Sequence, residues 1–232
     1  MNELLLLGEA VVSTFFVLGA WRYVRERLYG VIVIFLILIA NMGGKLIDVF
    51  GHTTNTGNIF YASVFLATYF IIERLGKREG MYSIWVGVIG VAFFFVFVQF
   101  TVSMIGSPTT AVLNNALAVA YTPFSQVTTA SILAYVISQN FNVFFYAYLK
   151  KNLNHGHLWL RVNISNFLSQ IIDSAIFFTI AFWGVIAPDN ITDILMTGFV
   201  IKILFVAITS PLLYLNRIES YDEKDAAVIA LR

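Results

Sequence analysis

Residues 81–104 read MYSIWVGVIGVAFFFVFVQFTVSM, an apolar run without a charged residue. A helix that crosses a hydrocarbon core of roughly 30 Å needs about 20 residues of this kind. A helix that is apolar on every side is buried either in a large protein core or in a bilayer. We therefore predict that residues 81–104 form a membrane-spanning helix.

Six further stretches have the length and hydropathy of a span: about 3–21, 28–50, 57–75, 122–149, 159–186 and 191–216. The apolar run of the first stretch, which begins at Leu4, is preceded by Glu3 and not by the basic residues of a signal peptide. We therefore expect a retained helix. The sequence thus predicts an all-α, polytopic membrane helical bundle with about seven transmembrane helices over residues 1–218. A short cytoplasmic tail, 219–232, is expected to follow.

Composition supports this class of protein and excludes others. Hydrophobic residues make up 59% of the chain and charged residues 12%, whereas soluble domains carry about 25% charged residues. The net charge of +1 and the lack of a basic cluster argue against a nucleic-acid partner. The chain has no cysteine, which excludes disulfides, thiol catalysis and thiolate metal sites.

The basic residues outside the spans predict the orientation of the chain. They occupy alternate connections and the tail: Arg22, Arg25, Arg27, Arg74, Lys77, Arg78, Lys150, Lys151, Arg217, Lys224 and Arg232. The other connections, 51–57, 106–121 and 187–190, contain neither Lys nor Arg. Because cytoplasmic loops carry the excess of basic residues, we predict a multi-pass protein of the cytoplasmic membrane with its N-terminus outside and its C-terminus in the cytoplasm.

Residues 106–121, GSPTTAVLNNALAVAY, have an intermediate character. They are too small and polar to span a bilayer but too apolar for an ordinary loop. An interfacial or re-entrant helix over the outer face and an ordered extracellular linker are both consistent with this composition.

Polar residues recur at helical spacing within three of the predicted spans. The sixth span carries Asn166, Gln170, Asp173 and Phe177, the fifth carries Ser131, Tyr135, Ser138, Gln139 and Asn142, and the second carries Asn41, Lys45 and Asp48. Residues three, four and seven apart share one helix face. We therefore expect three polar faces that enclose a cavity with hydrogen-bonding walls.

Two opposite charges are expected to meet near the middle of the bilayer. Asp173 lies about 12 residues, or about 18 Å, from the cytoplasmic start of its helix, and Lys202 lies at a similar depth in the last span. A charge at this depth costs roughly 2.5–3.5 kcal/mol unless it is compensated. We predict that Asp173 and Lys202 pair, with Lys45 nearer the outer face and Glu73 and Arg161 nearer the inner one.

Several segments resemble the queuosine precursor transporters, a group of bacterial and archaeal membrane proteins also classed as vitamin-uptake transporters. They are ANMGGKLIDVFG (40–51), FLATYFIIERLG (65–76), TTASILAYVISQNFNVFFYAYLKK (128–151) and LWLRVNISNFLSQIIDSAIFFTIAFWG (158–184). Lys202, Pro211 and Tyr214 continue the likeness in the seventh span. Relatives often have Asp where this chain has Tyr69 and Asn142, and Arg where it has Gln126. The first span looks like an addition to a six-helix core.

The resemblance implies uptake of 7-deazaguanine bases, such as 7-cyano- or 7-aminomethyl-7-deazaguanine. It implies a 7-deazapurine base and the bilayer as partners, with no cofactor, no metal and no catalytic residue, and it leaves a homo-oligomer open. Asp173 is the candidate acceptor for the N1–H and exocyclic amine of a guanine-like edge, and Lys202 is expected to keep it charged. The full set of candidate substrate-binding residues is Asp173, Gln170, Asn41, Gln139, Asn142, Lys202, Lys45 and Glu73.

Three other classes of function remain open. The chain has the size of a membrane-embedded substrate-binding subunit of an ATP-driven vitamin importer, although it lacks a GxxxxGK[ST] phosphate loop of its own. Lys202 in the last span also fits a retinal-binding seven-helix photoreceptor, but residue 198, four before it, is Gly and not an acid. A membrane enzyme is the weakest candidate, since neither HExxH nor GxSxG occurs and His52, His155 and His157 fall in loops on opposite sides.

Overall fold

The computed structural model describes residues 1–24, 28–121, 125–153, 157–181 and 188–215, and these residues are predominantly helical. They form eight α-helices: α1 (Asn2–Val24), α2 (Tyr29–Met42), α3 (Asn58–Leu75), α4 (Lys77–Ser103), α5 (Ala111–Tyr121), α6 (Ser125–Asn152), α7 (Leu158–Ala181) and α8 (Pro188–Thr209). A two-stranded hairpin, β1 (Leu46–Val49) and β2 (His52–Asn55), lies between α2 and α3. Short 3-10 turns cover Pro108–Thr110 and Ser210–Leu215.

The helices confirm an all-α polytopic membrane bundle. Among the described residues, five apolar segments are long enough to cross a membrane: Asn2–Tyr23, Asn58–Leu75, Lys77–Ser103, Ala130–Asn152 and Ile194–Tyr214. Helix α7 has 24 residues, about 36 Å at 1.5 Å per residue, but it carries a polar face. Helix α2 has 14 residues, about 21 Å by the same measure, which is shorter than the hydrocarbon core.

Helix α3 is the central element of the bundle. It packs against α1, α2, α4, α6 and α8. Of its residues, 72% are buried, against 17% of the residues in the most apolar part of α1 and 22% in that of α4. The outward faces of α1 and α4 consist of large exposed apolar side chains such as Phe15, Phe93 and Phe97. Lipid is the solvent that suits such faces, so α1 and α4 lie at the periphery of the bundle.

Two glycines position α4, one by making a tight turn and one by allowing close helix packing. Gly76, which joins α3 to α4, has φ +89° and turns the chain with no intervening loop, a conformation that costs glycine little. On α4 itself, a Cβ at Gly87 would lie 2.6 Å from a methyl of Leu36 and 3.2 Å from the Tyr135 hydroxyl. Small residues let helices in a membrane pack closely, and Gly87 brings α2 and α6 against the same point of α4.

The prediction of a continuous span over 28–50 is wrong in its second half. Helix α2 ends at Met42, and after Gly43 and Gly44 the chain forms the antiparallel hairpin, in which Leu46 pairs with Asn55 and Val49 with His52. Phe50 and Gly51 make its turn with φ of +52° and +81°. Asn41, Lys45 and Asp48 therefore do not share a helix face, because only Asn41 is helical.

The segment 106–121 contains a helix and is not an extended linker. After the turn Pro108–Thr110, α5 runs for 11 residues, about 16 Å, which is too short to span a bilayer. It packs beside α4, and the Tyr121 hydroxyl donates a hydrogen bond to Asn41 Oδ1. The predicted tail 219–232 and the basic residues Arg25, Arg27, Arg217, Lys224 and Arg232 lie outside the described residues.

Candidate functional site

The candidate site lies between α6 and α7, which form the most extensive helix pair of the described structure. Each of these helices carries polar side chains three and four residues apart, so each presents one polar face. On α6 this face contains Ser138, Gln139 and Asn142, and on α7 it contains Ser165, Asn166, Ser169, Gln170 and Asp173. All of these side chains are buried, so the polar faces are turned inward, as membrane helices require.

Asp173 is surrounded by donors from three other helices. Its Oδ1 accepts hydrogen bonds from the Tyr61 hydroxyl at 2.5 Å and the Ser138 hydroxyl at 3.3 Å. Its Oδ2 lies 3.2 Å from the Lys202 ammonium, which also lies 4.9 Å from the centre of the Tyr61 ring. The predicted pairing of Asp173 with Lys202 is thus confirmed, and the carboxylate is compensated although both side chains are only 10% exposed.

Tyr69 of α3 connects α6 and α7 at a level further along the bundle from Asp173. Its hydroxyl donates to Asn142 Oδ1 at 2.9 Å and to the Val162 carbonyl at 3.2 Å, and it lies 3.1 Å from the Ser165 hydroxyl. Tyr69 and Asn142, two positions at which the resemblance led us to expect an acid in relatives, therefore bind each other directly. Their bond satisfies the Tyr69 hydroxyl and the Oδ1 of Asn142 without a charge.

These contacts fix the register of α6 against α7. Ser138 meets Asp173, and Tyr69 links Asn142 to Ser165, so the helices run antiparallel. From this register we infer that Gln139 and Gln170 lie at a similar level of the two helices, as do Asn142 and Asn166. We call these four side chains, Gln139, Asn142, Asn166 and Gln170, the amide cluster.

The amide cluster holds buried polar atoms without a hydrogen-bond partner in the protein. Both amide atoms of Gln139, Asn166 and Gln170 and the Nδ2 of Asn142 are in this state, and the four side chains are at most 1% exposed. More than nine in ten buried polar groups are normally satisfied, and each unsatisfied one costs about 1–3 kcal/mol. These unused donors and acceptors could be satisfied by a buried polar ligand.

Aromatic rings border the amide cluster. The rings of Tyr61 and Tyr135 meet edge to face with centroids 6.3 Å apart, and the rings of Tyr69 and Tyr146 lie 5.2 Å apart. The Tyr135 hydroxyl is buried and also lacks a partner. The site therefore combines hydrogen-bonding edges with flat apolar faces, which suits a planar heteroaromatic molecule.

A second group of charges lies beyond Tyr69, on the side that the sequence predicts to face the cytoplasm, and we call it the inner charge cluster: Glu73, Tyr146, Lys150 and Arg161. Glu73 Oε1 accepts from the Tyr146 hydroxyl, lies 3.4 Å from Arg161 Nη2 and lies 3.6 Å from Lys150 Nζ. Arg161 is 1% exposed, and its Nε and Nη1 have no hydrogen-bond partner. One carboxylate thus faces two cations.

The structure brings five of the eight predicted site residues together: Gln139, Asn142, Gln170, Asp173 and Lys202. The other three lie elsewhere. Asn41 is tied to α5 through Tyr121 and donates to the Ile37 carbonyl, Lys45 is exposed beside the hairpin, and Glu73 belongs to the inner charge cluster. Their part in substrate binding stays a prediction.

The set of candidate binding residues predicted from the sequence contained neither Tyr61 nor Asn166. The hydroxyl of Tyr61 donates a hydrogen bond to Asp173. Asn166 makes no hydrogen bond to another helix. The helical spacing of Asn166 with Gln170 and Asp173 already carried the signal for its place in the site, whereas the role of Tyr61 depends on how α3 packs.

Comparison with known proteins agrees with this architecture. The family model described as "Putative vitamin uptake transporter" matches residues 55–216, a range that contains the amide cluster and both charged groups. A protein from Bacillus subtilis (strain 168), named "Probable queuosine precursor transporter", is 28% identical over 171 residues, which cover 73% of this chain and 74% of that protein. No solved structure matches. The resemblance seen in the sequence is confirmed: this multi-pass membrane protein belongs to the vitamin uptake transporter family.

Proposed function

We propose that this chain imports a queuosine precursor, 7-cyano- or 7-aminomethyl-7-deazaguanine, across the cytoplasmic membrane and binds it at the amide cluster. The observation that carries the proposal is the set of buried, unpartnered amide atoms on Gln139, Asn142, Asn166 and Gln170. The name of the Bacillus subtilis relative supports the substrate class.

The chemistry of a deazaguanine base fits what the amide cluster offers. The base presents N1–H and an exocyclic amine as donors and O6 and N3 as acceptors around a flat ring. Each Gln or Asn side chain supplies both an acceptor oxygen and a donor nitrogen. A buried site of this kind rejects a molecule that leaves its polar groups unpaired, and this penalty provides selectivity.

We assign Asp173 the recognition of the donor edge of the base. Its oxygens accept from Tyr61, Ser138 and Lys202 in the structure, and the contacts with Ser138 and Lys202 are the longer ones, at 3.3 and 3.2 Å. The N1–H could take the place of Ser138 on Oδ1, and the exocyclic amine could use the remaining lone pair of Oδ2, while Tyr61 and Lys202 keep the carboxylate in place. Lys202 stabilises the ionised form of Asp173 when no base is bound.

The first test is uptake in a bacterium that can neither make nor import queuosine precursors but can complete the modification. After a trace of 7-cyano- or 7-aminomethyl-7-deazaguanine is added, queuosine in tRNA is measured. We expect the chain to restore queuosine, and Asp173→Ala and Gln139→Ala to abolish the restoration. Asn140→Ala is the matched control, because Asn140 is next to Gln139 but its amide donates only to the Val136 carbonyl of its own helix.

A second experiment separates a self-sufficient transporter from a binding subunit of an ATP-driven importer. The purified chain is reconstituted alone into lipid vesicles, and accumulation of the labelled base is followed without ATP. Accumulation supports the proposal, whereas binding without transport identifies a subunit that needs an ATPase partner. If a protein shown to be folded in the membrane neither restores queuosine nor binds either base, the proposed substrate is wrong.

A further inference from the structure

We propose that the amide cluster selects a neutral base and discriminates against one that carries an ammonium group, so that the 7-cyano precursor is preferred over the 7-aminomethyl one. This inference rests on the proposed function, because it concerns which of two candidate substrates the same site takes. It follows from the balance of charge around Gln139, Asn142, Asn166 and Gln170.

On the side of the amide cluster nearest Lys202, the carboxylate of Asp173 is already neutralised by the lysine. Asp173 is bound to the Lys202 ammonium at 3.2 Å and accepts two hydroxyl hydrogen bonds as well. A carboxylate with a bound cation and two other donors has little capacity left for a second cation. The ammonium of Lys202 would also repel any positive charge that approached Asp173.

On the opposite side, the charge balance is positive. Glu73 is the single carboxylate of the inner charge cluster, and it is shared between Arg161 and Lys150. Two guanidinium nitrogens of Arg161 are buried without an acceptor. An ammonium group on the ligand would therefore meet excess positive charge in this direction too.

The described parts of α3, α4, α6, α7 and α8 that surround the amide cluster offer the ligand amide groups, serine hydroxyls and tyrosine hydroxyls. These are neutral dipoles, which can hydrogen-bond a nitrile nitrogen or a ring edge but cannot neutralise a full charge. The charged groups of these helices nearest the cluster are paired among themselves: Asp173 with Lys202, and Glu73 with Arg161 and Lys150. A neutral ligand can satisfy this site completely, and an ammonium cannot be satisfied there.

The two precursors differ in the charge of the group at position 7. The cyano group is neutral and accepts hydrogen bonds, whereas an alkyl amine with a pKa near 10 is neutral in only about one molecule per thousand at pH 7. A ligand that had to lose its proton before entering would bind about a thousandfold more weakly for that reason alone. Hydrogen bonds from the amides to an ammonium recover part of this loss, so we expect a preference of at least about tenfold for the cyano form.

The test is competition binding of the two bases to the purified full-length chain at neutral pH. We expect wild-type protein to bind 7-cyano-7-deazaguanine at least about tenfold more tightly. Asn166→Asp adds a carboxylate to the amide cluster and should shift the ratio of the two affinities at least tenfold toward the aminomethyl base. Asn163→Asp makes the same change about one turn away on α7, where the Asn163 amide binds Ser210 and the Trp159 carbonyl and is not part of the amide cluster, and it should leave the ratio unchanged.

The outcomes distinguish this inference from the function on which it rests. Equal or tighter binding of the aminomethyl base by wild-type protein overturns the charge selection and leaves the transporter proposal intact. Binding of neither base by folded protein overturns both. If Asn166→Asp does not fold, Gln170→Glu provides the same added carboxylate, and an unchanged ratio in the folded variant counts against the inference.

Discussion

Replacing Lys202 by Met should strongly destabilise the protein, because it removes the only cation bound to Asp173 among the described residues. The two side chains are 10% exposed, and the ammonium lies 3.2 Å from Oδ2. Methionine preserves the length and apolar bulk of lysine but leaves a buried carboxylate without a counter-charge. Such a carboxylate keeps only its hydrogen bonds from Tyr61 and Ser138.

The size of the effect follows from the burial of the pair. Breaking a buried ion pair by removing one partner costs about 3–5 kcal/mol, and the two remaining hydrogen bonds place the loss near the lower end, about 3 kcal/mol. In a chain of this length, each kcal/mol corresponds to about 2–4 °C in Tm, so the expected decrease is about 6–12 °C. The double variant Lys202→Met/Asp173→Asn removes both charges and should recover most of this loss.

Thermal unfolding of the purified variants in one detergent measures both effects. Lys151→Met is the matched control, because Lys151 is exposed at the end of α6 and its replacement should change Tm by less than about 2 °C. An unchanged Tm in Lys202→Met, or a double variant no more stable than the single one, would show that the pair does not compensate Asp173.

Three further predictions follow from other parts of the molecule. Glu73→Gln removes the only carboxylate that contacts the buried Arg161 among the described residues, so unfolding should become easier by about 3 kcal/mol, and an unchanged Tm would contradict this. Gly87→Leu places a large side chain where α2 touches α4, and the variant should lose about 1–3 kcal/mol in the same melts, whereas full stability would rule out that contact. The cysteine-free chain allows single cysteines to report orientation. An impermeant maleimide applied to cells should label Thr109→Cys but not Lys151→Cys, and the reverse pattern would refute the predicted topology.

The sequence predicted the bundle well because lipid makes hydropathy a direct readout of helical spans. Its main error was at the end of α2, where the predicted span was continued through GGKLIDV (43–49) although this segment contains Lys45 and Asp48. Hydropathy alone does not distinguish a helix from a strand there. The helix ends before the two glycines, 43 and 44, and the turn at Phe50 and Gly51 makes the following segment a hairpin. The φ values of this turn are known only from the structure.

The candidate site was predictable to the extent that it depends on helix faces. Asn166, Gln170 and Asp173 share a face by spacing alone, and the pairing of Asp173 with Lys202 followed from equal depth in the membrane. The contacts of Tyr61 and Glu73 depend on which helices are neighbours and at what register, and the spacing of residues within one helix contains no information about that. The unpartnered state of the amides likewise emerges only when all surrounding helices are in place.

The measurement that tests the amide cluster most directly is the combined stability and base binding of Gln170→Met. Methionine has a shape close to that of glutamine, but it removes two buried polar atoms that have no partner in the protein. We predict that Tm rises by about 2–8 °C, since the removal of an unsatisfied buried group stabilises the fold by about 1–2 kcal/mol. Binding of 7-cyano-7-deazaguanine should meanwhile weaken at least about tenfold, the equivalent of 1.4 kcal/mol. A lower Tm with unchanged binding would show that Gln170 supports the fold and does not hold the base.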